Sequence, residues 1–107
     1  MKTRDAYVAI SDPIRREILD LVARKEVVSA GAVASAFPEV TRPAISRHLR
    51  ILRECGVVDT IRHGKTNNYT LNPKPLDEIR DGWLAKFGDM PVKSLSRLRN
   101  LVESNYS

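Results

Sequence analysis

The sequence predicts one mostly α-helical domain with a single β-hairpin, an α+β arrangement, and three successive stretches predict it. Ala30 to Ala36 reads as a short helix of small residues. Thr41 to Cys55 reads as a longer helix with two chemically opposed faces, and Val57 to Asn72 as two strands around a polar turn. Length sets the scale: 107 residues, 42% of them hydrophobic, suffice for one domain with a modest core and not for a second.

The longer helix organises the rest. Ala44, Ile45, Leu49 and Leu52 fall on one side of it, and Pro43, Ser46, Arg47, Arg50 and Glu54 on the other. The first side is suited to burial. A solvated helix usually balances its arginines with carboxylates at i,i+4 spacing, whereas here Glu54 is the single acid beside Arg42, Arg47, His48, Arg50 and Arg53. That imbalance points to a polyanion as partner. An α-helix fits the major groove of B-form DNA, where Arg binds guanine through paired hydrogen bonds and Ser or Thr serves either base type. The stretch is therefore expected to be a recognition helix.

Taken from the N-terminus, residues 3–10 are expected to form a short helix presenting Ala6, Tyr7 and Ile10. Asp12 caps a second helix with Pro13 in its first turn, where a missing N–H costs nothing. Ile14, Ile18, Leu21 and Val22 carry its buried stripe to about Arg24, leaving Arg15, Arg16, Glu17 and Asp20 in water. Ser29 caps the small helix, whose Ala32, Val33 and Ala36 permit close approach of another helix, and Phe37 to Val40 end it. Thr41 then caps the recognition helix with Pro43 in its first turn. The short connection makes the pair a helix-turn-helix, with the small helix expected across the DNA backbone and the second in the groove.

After Gly56, a left-handed stop for the helix, the helical period gives way to Val57 to Arg62, rich in β-branched residues. His63 to Asn67 is expected to turn the chain, and Asn68 to Asn72 to return it with Tyr69 and Leu71 on one face. Arg62, His63, Lys65, Thr66 and Asn67 would then cluster at the hairpin tip as a wing, able to donate to phosphate or reach a minor groove. Beyond Asn72-Pro73-Lys74-Pro75, a helix from Leu76 to Phe87 carries Leu76, Ile79, Trp83 and Phe87 on one stripe. Gly88 and Pro91 interrupt it before Leu95, Leu98, Leu101 and Val102 resume the pattern. The core does not require these stripes, so Tyr7, Ile79, Trp83, Phe87, Leu95, Leu98 and Val102 are candidates for a homodimer interface. Residues 11–72 form the expected DNA-binding core, and 1–10 and 76–107 the dimerisation helices.

Charge and cysteine usage agree with this. Eighteen Lys and Arg against thirteen Asp and Glu leave a net charge of +5, which favours phosphate-bearing partners. No apolar run approaches the roughly 20 residues that span a bilayer, and a single cysteine suits a reducing compartment, so a cytoplasmic protein is expected. No Gly-rich phosphate loop, nucleophile elbow or carboxylate pair suggests an enzyme. Cys55, His48 and His63 lie on separate elements, so neither a metal site nor any other cofactor is expected. His48 borders the apolar helix face, as a packed, hydrogen-bonded side chain would, and Cys55 is expected to be buried.

The runs AISDPIRREILDLV and SAGAVASAFPEVTRPAISRHLRILRECGVVDTIRHGKTNNYTLNP, with Gly82-Trp83-Leu84 after them, resemble the ArsR-type winged helix-turn-helix repressors of bacteria. Within that family the chain is most similar to the autorepressor-type branch without metal ligands, over about residues 4–103. The resemblance implies a homodimeric repressor of double-stranded DNA with terminal helices at the interface. It also implies that Thr41, Arg42, Pro43, Ser46, Arg47 and Arg50 face DNA, and Arg62 to Asn67 form the wing. Metal-responsive members place paired cysteines ahead of the recognition helix, or Asp and His on the C-terminal helix. Those places here read GAVASAF and LDEIRDGWLAKF, so any effector is unknown. The competing expectation, a winged helix that binds a protein or RNA, would put apolar anchors where Ser46, Arg47 and Arg50 stand.

Overall fold

A computed structural model describes residues 5–88. The elements are α1 (Ala6–Ile10), α2 (Pro13–Lys25), β1 (Val27–Ser29), α3 (Ala30–Ala36), α4 (Arg42–Glu54), β2 (Val58–His63), β3 (Thr66–Leu71), α5 (Lys74–Asp81) and a 3-10 turn (Leu84–Phe87). The result is helices plus a small antiparallel sheet.

Local chemistry starts each of the first four helices. Asp5, Asp12, Ser29 and Thr41 stand at the N-caps, and their side chains accept from the backbone N–H of Val8, Arg15, Ala32 and Ala44. The first helix begins at Ala6, with Asp5 as its cap and not inside it, and residues 3 and 4 of the expected span lie outside the described residues. Gly56 has φ 77, the expected left-handed stop after α4. Beneath the helices, Ile18, Val22, Val33, Ile45, Leu52, Cys55 and Val57 are completely or almost completely buried. The apolar side of α4 is thus the floor of the core.

Four further features differ from the expectations. Val27–Ser29 form a strand that the sequence left unassigned, pairing antiparallel with β3 through Val28↔Tyr69 to give the order β1-β3-β2. Such a short segment carries no readable period, and only the distant partner makes it a strand. The hairpin turn is tighter than His63 to Asn67: the ladder runs to His63↔Thr66, leaving Gly64 and Lys65 as the loop, with Gly64 at φ 64. The helix expected over 76–87 begins at Lys74 and ends at Asp81. A β-carbon at Gly82 would lie 2.8 Å from the Glu78 carbonyl oxygen. The glycine therefore permits a break there, before the 3-10 turn. Finally, Arg15 is buried, not in water.

Among the described residues no helix is long and apolar enough to cross a membrane.

Candidate nucleic-acid interface

Thr41 anchors the site, its hydroxyl 3.3 Å from the Ala44 backbone N–H. Burial of Ile45, Leu49, Ile51 and Leu52 then turns the opposite side of α4 outward. Thr41, Arg42, Pro43, Ser46, Arg47 and Arg50 are all exposed, so one face of α4 assembles every helix residue selected from the sequence. Arg50 lies 4.0 Å from Glu54 across one turn. Among the described residues, Arg42 and Arg47 have no carboxylate within ion-pair distance.

The hairpin groups the second set. Arg62 pairs with Asn67 and His63 with Thr66 in the final rungs, and Lys65 lies in the turn. Arg62, His63, Lys65 and Thr66 are exposed, whereas Asn67 is half-buried. The Arg62 Nε donates to the Gly64 carbonyl at 3.1 Å, bending that guanidinium back over the tip. Among the described residues, none of Thr41, Arg42, Pro43, Ser46, Arg47 and Arg50 is hydrogen-bonded or ion-paired to a wing residue. Each group is held by its own element.

Behind α4 lies a polar cluster that the sequence did not reveal. The Arg15 guanidinium donates from Nε to the Ala9 carbonyl and from Nη2 to the Val8 carbonyl and the Ser11 hydroxyl. Its Nη1 reaches His48 Nδ1 at 3.4 Å. His48 is packed and hydrogen-bonded, as expected. A usable signal existed for Arg15: Ile18, Leu19 and Val22 follow it at i+3, i+4 and i+7, which places it on the buried stripe. Its charge made the wet side look preferable.

Burial lowers the His48 pKa from the ordinary 6.5; the Asp12 carboxylate opposes this, and the Arg15 and Arg47 charges add to the lowering. Burial alone would raise the Asp12 carboxyl. The Arg15 backbone N–H, the charges of His48 and Arg15, and the Ile14 N–H together hold it below 3.8.

The other predicted group divides. Tyr7 and Trp83 are exposed and Phe87 half-buried. Ile79 is 6% exposed inside the protomer's own core, so as an interface candidate it is corrected. Leu95, Leu98 and Val102 lie outside the described residues. Cys55 is buried, and no group of three or more His, Cys, Asp or Glu is placed to hold a metal among the described residues.

A capped helix-turn-helix with a basic outward face, followed by a hairpin wing, defines a winged-helix DNA-binding regulator. A helix-turn-helix domain family matches residues 10–61. The chain is 37% identical over 83 residues to the transcriptional repressor SdpR of Bacillus subtilis (strain 168), covering 78% of this chain and 89% of that protein. It is 36% identical over 74 residues to a probable mercury resistance operon repressor of Streptomyces lividans, covering 68% of this chain and 58% of that one. An ArsR-like transcriptional regulator from Rhodococcus sp. RHA1 superposes with a TM-score of 0.69 at 30% identity, covering 92% of this chain and 88% of that structure. The chain belongs to the ArsR family of winged helix-turn-helix transcriptional regulators, as a DNA-binding repressor and not an enzyme.

Proposed function

We propose that the chain represses transcription in the cytoplasm as a homodimer on an inverted-repeat operator, such as one in its own promoter. Two symmetric copies of α4 enter successive major grooves, and the wings track the flanking backbone or minor groove. Half-sites are then centred about one helical turn, roughly 34 Å, or a multiple apart. Thr41, Arg42, Pro43, Ser46, Arg47 and Arg50 meet DNA from α4, and Arg62, His63, Lys65, Thr66 and Asn67 from the wing.

The observation that carries this reading is the exposed face of α4. Three arginines and a serine stand on a helix whose opposite side is fixed in the core, and no large apolar residue shares the exposed face. A protein-binding face would be expected to carry such apolar anchors. Selection of binding sites from random duplexes tests the proposal. Enrichment of a two-fold symmetric motif is expected, and enrichment of no motif would sink it.

A further inference from the structure

Arg15 ties together three elements. Arg15 is 9% exposed, and its side chain bonds the Val8 and Ala9 carbonyls at the end of α1, Ser11 in the connection, and His48 on α4. A guanidinium only donates. The 3.4 Å contact to His48 Nδ1 is therefore a hydrogen bond only when that nitrogen carries no proton and Nε2 does. The Asp12 Oδ2, which accepts from the Arg15 backbone N–H at 3.0 Å, lies 4.0 Å from the same Nδ1. Protonation turns Nδ1 into a donor facing a cation on one side and a carboxylate on the other. The charged groups facing the imidazole are Asp12 and Arg15 from α2 and its cap, and Arg47 from α4 itself.

We propose that Arg15 and neutral His48 form a positioning couple that sets the rotation of α4 about its axis, and that protonated His48 exchanges Arg15 for Asp12 and blunts discrimination between operator and other DNA. This rests on α4 being the helix that reads the groove. His48 is adjacent to Arg47 and is 17% exposed at its side chain, so it acts on the outward residues from behind. Recognition constellations must be held within about 0.5 Å of productive geometry. A small rotation of α4 therefore degrades base contacts, while flexible contacts to phosphate persist.

Electrostatics alone predicts something different. An added positive charge on α4 strengthens binding to every duplex on acidification, without selective loss at the operator. The decisive quantity is thus the ratio of affinities for a selected operator and a scrambled duplex of the same length. It is measured by fluorescence anisotropy with the full chain at constant salt, between about pH 7.5 and about pH 5.5. That window starts above the ordinary imidazole value, runs below it in the direction in which His48 is shifted, and leaves most carboxylates ionised.

The ratio is expected to fall about fivefold or more across the window, in the range of ordinary coupling between sites. His48→Gln, whose amide oxygen accepts from Arg15 without titrating, flattens the dependence whatever ratio it starts from. Arg15→Lys keeps the charge but not the fork and lowers the ratio at the higher pH. If that variant does not fold, the wild type and His48→Gln decide. An operator preference that is independent of pH, or a dependence that survives in His48→Gln, overturns this proposal alone. Absence of any sequence preference at either pH overturns it together with the assignment of α4.

Discussion

The Tyr7 and Trp83 rings meet edge to face, with centroids 6.3 Å apart and planes at 83°. Trp83 in turn meets Phe87 at 5.0 Å. Residues from the two ends of the described chain thus form one aromatic patch. With Tyr7 45%, Trp83 51% and Leu84 46% exposed, it remains largely open to solvent within one protomer. Contiguous exposed aromatics of this kind usually mark an interface.

If the patch is the centre of the homodimer, Trp83→Ala removes an anchor worth about 2 kcal/mol or more of association. Sedimentation velocity across a dilution series should show the variant dissociating at higher concentration than the wild type. A wild type that stays monomeric where it binds operator would refute the dimer.

The two DNA-facing groups should fail differently. Lys65→Ala is expected to weaken binding to all duplexes alike and lower the log-log salt slope by about one. Arg47→Ala or Arg50→Ala should relax base preference, at about 1 to 3 kcal/mol per lost paired contact to a base. Binding isotherms on operator and scrambled DNA at several salt concentrations separate the outcomes. A wing variant that altered base preference while the helix variants did not would reverse the roles.

Stability should fall on acidification in two windows. His48 is depressed below 6.5 in the folded chain, so the unfolded chain binds its proton first. Its contribution is complete above 6.5 and declines as pH falls toward the lower folded value. Asp12 is depressed below 3.8, so its contribution is complete above that value and is lost as pH falls through the folded one. Thermal melts as a function of pH check this. His48→Gln should remove the upper decline and Asp12→Asn the lower.

Metals should leave the DNA complex intact, because the described residues hold no cluster of three ligands. Titrating Zn(II) at micromolar levels into labelled operator complex is expected not to change its anisotropy. Stoichiometric release that disappears in Cys55→Ser or His63→Ala would reveal a site formed between subunits.

The order of the helices and of the hairpin was legible because its signals are local. Asp12, Ser29 and Thr41 each sit at a helix start and bond an N–H within the next turn. The apolar spacing from Ala44 to Leu52 depends only on the helix period, so both the buried and the basic face of α4 could be read directly. Pro43, Ser46, Arg47 and Arg50 followed from that period without any knowledge of neighbours, whereas Thr41 and Arg42 were added by the resemblance to the ArsR family.

Tertiary structure decided what depends on a distant partner. Val27–Ser29 become a strand because Thr70, Tyr69 and Asn68 lie alongside, and Ile79 is withdrawn from any interface because the protomer's own core covers it. Gly82 breaks the helix where a larger residue would press on the Glu78 carbonyl. Arg15 is the clearest case. By itself a guanidinium belongs in water, and only the carbonyls of α1, the Ser11 hydroxyl and His48, thirty-three positions away, together supply the acceptors that let it be buried.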